Sequence, residues 1–163
     1  MTAAAASPAP NTLPARDALA RIALAGLAGG AVDFVYASAL GLMSGRGFVR
    51  VWQGVASGWL GKAAAHGGMG SLTLGLVTHF GIATCMAAAY ALVAARAPIL
   101  YRRWWLAAPL YGVVLYGVMY KIVLPLRFPG AGGWHGLESV ADVASHIGLA
   151  LAAAFVLSRP RPQ

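Results

Sequence analysis

Four stretches of this chain are apolar over about the 20 residues a helix needs to cross a ~30 Å hydrocarbon core. They run from Ile22 to Met43, Leu72 to Ala95, Trp105 to Leu126 and Ser139 to Leu157. In lipid the backbone N–H and C=O groups must find partners within the segment, so each stretch is expected to be a helix. Composition closes the soluble alternatives: 60% of the residues are hydrophobic and only 10% charged, with a mean hydropathy of +0.71. A soluble domain carries about 25% charged residues. The sequence therefore predicts an all-α, polytopic membrane protein: a single four-span bundle over residues 16–158. A flexible tail with Pro8, Pro10 and Pro14 is expected over residues 1–15, and a short C-terminal tail over 159–163. Ala37-Ser38-Ala39 has the small-x-small look of a signal-peptidase site, but Asp33 within the apolar run and the length before it favour a retained first span.

The connection from Ser44 to Ser71 is too long for a turn. Phe48, Trp52, Val55 and Trp59 recur at helical spacing, with Arg46, Arg50, Gln53 and Ser57 on another face. That pattern predicts an amphipathic helix in the headgroup region between spans one and two, with a re-entrant segment as the rival reading supported by Gly54, Gly58 and Gly61. A loop holding His66 is expected to follow. With both termini on one side, that side collects seven basic residues (Arg16, Arg21, Arg96, Arg102, Arg103, Arg159, Arg161). The other side has Arg46, Arg50, Lys62 and Arg127, with Lys121 near it. The bias predicts cytoplasmic termini. The net charge of +8 is read as membrane flanks facing anionic headgroups, and no motif supports nucleic acid. The lone Cys85 permits no internal disulfide.

Each span carries ionisable side chains that hydrocarbon disfavours: Asp33, His79, Lys121, and Asp142 with His146 one turn later. A charge at mid-membrane costs about 2.5–3.5 kcal/mol on insertion scales, so such groups face protein or water. Alternating span directions put Asp33, His79, Lys121 and His146 at a similar height. Small residues flank them: Gly26, Gly29, Gly30 and Ala37 beside Asp33, Gly75 beside His79, Gly117 one turn before Lys121. Polar groups flanked by small residues point into a bundle.

Several roles are open to this cluster. Asp33 and Lys121 could form a buried ion pair that fixes helix register, with each histidine bonded to a carbonyl or to a carboxylate such as Asp142. The cluster could instead pass protons or ions, forming a small transporter or conduit. Third, His79 and His146 could supply both axial ligands of a haem or half of a metal site. The Tyr116–Tyr120 pair is read as packing. No Walker motif, nucleophile elbow or Rossmann fingerprint is present, so a non-enzymatic protein is expected, with the cluster organising the bundle and no cofactor implied. The expected partners are the lipid bilayer and either a second copy, through Gly-xxx-Gly faces, or another membrane protein.

The run Val77-Thr78-His79, then Tyr90, Trp105, Gly112, Met119 and Leu124-Pro125-Leu126, resembles the YagU-like family of small bacterial inner-membrane proteins. The segment Glu138-Ser139-Val140-Ala141-Asp142-Val143-Ala144-Ser145-His146 is similar to the acidic, His-containing last span of that family. The resemblance implies a multi-span inner-membrane protein without a settled activity, and supports His79, Pro125 and His146 as positions of interest. Asp33 and Lys121 have no clear counterpart in it.

Overall fold

The computed structural model describes residues 15–159. Pro8, Pro10 and Pro14 of the expected N-terminal tail, and Arg161 of the C-terminal tail, lie outside the described residues. Helix α1 is Ala15–Met43, α2 Phe48–Leu60, α3 Gly68–Arg96 and α4 Ile99–Arg102. Helix α5 runs Trp104–Arg127 and α6 Leu137–Ser158. No strand occurs among the described residues. Four helices, α1, α3, α5 and α6, are long and apolar enough to cross a membrane, so the all-α four-span architecture stands. The helices outrun the apolar stretches: α1 has 29 residues, about 43 Å at 1.5 Å per residue.

Close approach at glycine sets the packing. Helices in lipid gain nothing from hiding apolar surface from water, so association rests on van der Waals fit and interhelical hydrogen bonds. On α1, a Cβ at Gly29 would meet the backbone of Leu149 on α6, whereas one at Gly26 would overlap Thr84 of α3. Neighbouring turns of one helix thus seat two partners. Along α6 the contacts keep a single antiparallel register. Arg21 reaches Leu157, Gly29 meets Leu149, Ser145 donates to Asp33, and Tyr36 donates to Asp142. Each step up α1 is matched by an equal step down α6. At the termini end, Arg21 Nη2 donates to the Val156, Leu157 and Arg159 carbonyls (3.3, 3.0 and 2.7 Å). Val156 and Leu157 carry carbonyls that the end of α6 leaves without helical donors, and Arg159 is the residue just past that end.

Helix α5 seats on α6 through Gly112, whose Cβ would overlap the backbone of Ile147. Its last turns are irregular. Pro125 has no N–H, and Leu124 N–H reaches back to Met119 O, so residues Met119–Val123 form a π-helical turn. The helix continues through Pro125 to Arg127 instead of stopping there. Backbones of α3 and α5 scarcely approach each other. Near the termini a tyrosine cluster joins them: Tyr111 Oη donates to the Met86 carbonyl (2.7 Å) and its ring packs on Tyr90 at 5.3 Å. Toward the other end they stand apart.

The expected amphipathic helix is α2, which packs along the adjoining part of α3. Its inward side differs from the sequence reading. Trp52, Gln53 and Ala56 are buried, whereas Trp59 is exposed and donates its indole N–H to Thr78 Oγ1 (2.9 Å). Gln53, assigned to the polar face, is buried because its amide donates to the Gly68 carbonyl (3.3 Å). Gly75 permits the contact: a Cβ there would fall on the Trp52 carbonyl. The segment around His66 is not an irregular loop but a 3-10 helix, Gly61–His66, pinned by Ser71 Oγ to the Ala64 carbonyl (2.8 Å).

If Gly112 is the seat of α5, Gly112→Ala must push α5 off α6 and lower stability by about 1–3 kcal/mol. Gly81 has nothing within 4 Å of its Cβ position, so Gly81→Ala is expected to be neutral or mildly stabilising. Thermal unfolding in detergent compares the two.

Candidate functional site

The α1–α6 register brings two acidic residues to one level. Asp33 Oδ1 accepts from Ser145 Oγ (2.5 Å), and Asp142 Oδ1 accepts from Tyr36 Oη (2.7 Å). The bonds are reciprocal: each helix gives a carboxylate and a hydroxyl. Both hydroxyls sit three residues after the carboxylate on their own helix, which puts them on the same face.

His79 comes from α3. Its Nε2 lies 2.9 Å from the Gly30 carbonyl. A carbonyl only accepts, so the Nε2 hydrogen is fixed and Nδ1 is left facing Asp33 Oδ2 at 3.9 Å. In the neutral ring Nδ1 is a lone pair, and a proton added there meets a carboxylate. The ring is held edge-on by Trp52 of α2 (4.9 Å) and Phe80 (5.1 Å), and Trp52 stacks on Phe34. His146 Nδ1 donates to the Asp142 carbonyl one turn earlier (2.9 Å), which leaves Nε2 as the available ring atom. Tyr116 and Tyr120, stacked at 4.5 Å, present their rings at 5.9 Å to His146.

Six of these side chains line one cavity of about 660 Å³. Asp33, Tyr36, His79, Tyr120, Asp142 and His146 supply its polar wall. Apolar residues supply most of the rest, among them Leu40, Val55, Ile82, Met86, Val123 and Leu149. Helices α1 and α6 form the back, α3 and α5 the sides, and α2 lies across the end through Gly54, Gly58 and Trp59. The side between α3 and α5 is not closed by backbone packing. Arg46, Arg127 and Glu138, from helix ends and connections, also line the cavity. Arg127 Nε donates to the Gly58 carbonyl, tying the end of α5 to α2.

Lys121 is not in the cluster. It is exposed, and its Nζ donates to the Gly132 carbonyl (2.6 Å) in the connection before α6. The expected Asp33–Lys121 ion pair is therefore replaced by Asp33–Ser145 and Asp33–His79. The reason is a face: Gly117, one turn before Lys121, has nothing within 4 Å of its Cβ position, so this side of α5 points away from the bundle. The opposite side, with Gly112, Leu115 and Tyr116, is buried. Long cationic side chains can extend along their own helix to a polar partner, and Lys121 finds one in the Gly132 carbonyl.

Tyr36, Ser145 and Tyr120 were missed as site residues. The first two had a signal, the three-residue spacing after Asp33 and Asp142; Tyr120, read as packing, had none, since its place in the cavity depends on the π-helical turn. No group of three or more His, Cys, Asp or Glu side chains gathers to hold a metal ion among the described residues. Comparison with protein-family models, curated proteins and solved structures finds no match.

The geometry separates the two pairings of Asp33 in a double-mutant cycle read as unfolding in detergent. Asp33→Asn and Lys121→Gln are expected to add within roughly 0.5 kcal/mol, as independent sites do. Asp33→Asn and Ser145→Ala are expected to couple by about 1–2 kcal/mol, as partners in a charged hydrogen bond do.

Proposed function

We propose that the chain is a non-enzymatic multi-pass protein of the bacterial inner membrane, with cytoplasmic termini, that acts as a small proton-linked carrier of amphipathic cations. The observation that carries the reading is the polar lining of the cavity: Asp33, Asp142, His79 and His146 line it together, with Glu138, Arg46 and Arg127 contributed by helix ends and connections and Lys121 outside. A carboxylate that faces a cavity within the membrane-spanning bundle attracts a cation. The apolar walls suit the hydrophobic part of such a ligand, and the open side between α3 and α5 gives it a route from the bilayer. Protons and ligand compete for the same oxygens, which couples their movements. The excess of basic residues on the termini side and the resemblance to YagU-like proteins support the inner-membrane assignment and the orientation.

A second reading, in which the cluster only organises the bundle, is favoured by the reciprocal Ser145–Asp33 and Tyr36–Asp142 bonds. Tetraphenylphosphonium, a rigid lipophilic cation, separates the two. On the carrier reading it binds purified protein with release of protons, and binding weakens as salt rises. Asp33→Asn and Asp142→Asn each lower affinity by roughly tenfold or more, about 1.4 kcal/mol, and Lys121→Gln leaves it unchanged. In proteoliposomes holding a pH-sensitive dye, the ligand drives proton movement above that of empty vesicles. Absence of both binding and flux, with the Asn variants merely less stable, leaves the organising role alone.

A further inference from the structure

A second pocket, of about 380 Å³, lies outside the acidic cavity between α2, the 3-10 helix and the end of α5. Arg50, Lys62 and Arg127 line it, together with Gln53, Ser57 and Phe128. The three cations come from three separate segments, so the fold, not local sequence, gathers them. None has a carboxylate partner: among the described residues the ion pairs within 4 Å are Arg16–Asp17 and His79–Asp33. All four side-chain carboxylates of the chain are elsewhere, Asp17 at the start of α1 and Asp33, Glu138 and Asp142 around the acidic cavity.

Three like charges in so small a space repel unless an anion joins them. The end of α2 offers the equivalent of about half a negative charge, too little to balance three. Arg127 is held in place, with its Nε on the Gly58 carbonyl and its guanidinium 5.9 Å from the Phe128 ring. Its two Nη groups, and the charged groups of Arg50 and Lys62, make no hydrogen bond to described residues within the pocket. Space is kept by Gly54 and Gly61, neither of which would meet an atom within 4 Å of a Cβ. Arginine forks match the oxygens of phosphate two at a time, and lysine adds a point charge.

We infer that this pocket binds a phosphate group, carried either by an anionic lipid headgroup or by a solute at the membrane surface. The site is independent of the carrier reading, because it shares only Gly54, Arg127 and Phe128 with the acidic cavity and none of its carboxylates or histidines.

The test uses the full chain in a zwitterionic detergent, with thermal shift and native mass spectrometry as readouts. Three probes are compared: phosphatidylglycerol, phosphatidylcholine and inorganic phosphate. A stabilising shift and retained lipid with phosphatidylglycerol alone assign the headgroup. The same shift with inorganic phosphate assigns a soluble ligand. In both cases the effect shrinks as salt rises, and Arg50→Gln with Lys62→Gln weakens binding by roughly tenfold or more. Those two positions are exposed, so the double variant is expected to unfold at the wild-type temperature in phosphatidylcholine. Equal response to phosphatidylglycerol and phosphatidylcholine with none to phosphate overturns the inference. So does undiminished binding in a folded double variant; should that variant fail to fold, the wild-type probes decide alone.

Discussion

The antiparallel seam between α1 and α6 is the constraint on which the other contacts depend. It uses the two forces available to helices in lipid, close backbone approach and hydrogen bonds between side chains. Gly29 supplies the approach, Asp33–Ser145 and Tyr36–Asp142 the bonds, and Arg21 closes the termini end on the last carbonyls of α6. A slip of α1 by one turn would break all of these together. With the register set, Gly26 and Gly30 fall toward α3, so the Gly30 carbonyl becomes the partner of His79. The same seam places two acidic residues and a second histidine at one level.

The cavity is a consequence of what the seam leaves unpaired. Helices α3 and α5 each pack on it from opposite sides, and nothing requires them to pack on each other. Tyr90 and Tyr111 hold them together near the termini. Toward α2, the π-helical turn at Met119–Val123 widens α5 just before Pro125 and places Tyr120 on the cavity wall. Helix α2 then covers the end of the gap, docked at Gly75 and tied to α5 by Arg127. An acidic pocket and a basic one thus share α2 and Arg127 as their common wall.

The four spans were legible because length and apolar character alone decide them, and α2 was legible from the spacing of Phe48, Trp52, Val55 and Trp59. Counting depth along alternating spans put Asp33, His79, Lys121 and His146 at one height, and of these Asp33, His79 and His146 line one cavity together with Asp142. Lys121 fails the same argument because depth is not direction. It stands at the right height on the outer face of α5, and neighbouring Gly117 mimics an interface glycine without contacting anything. Gln53 fails for the opposite reason: a polar residue on the polar side of α2 turned inward once the Gly68 carbonyl offered it a bond. Tertiary hydrogen bonds outweigh a pattern of polarity, and a single-helix pattern does not contain them.

The proposed binding role and the organising reading of the cluster need not exclude each other, because they would use different atoms. Ser145 and Tyr36 donate to the Oδ1 atoms of Asp33 and Asp142. On Asp33, Oδ2 faces His79 Nδ1 at a distance longer than a hydrogen bond. On Asp142, Oδ1 accepts from Tyr36, and Tyr120 is a second side-chain donor to the carboxylate. A proton or a cation arriving at Asp33 Oδ2 leaves the Ser145 bond to the other oxygen in place, weakened but not broken. The same holds for the histidines, each of which fixes its ring with one nitrogen on a carbonyl and keeps the other available. Protonation can therefore change the charge of the cavity without releasing the seam that forms it, as a site that loads and unloads without unfolding its own walls requires.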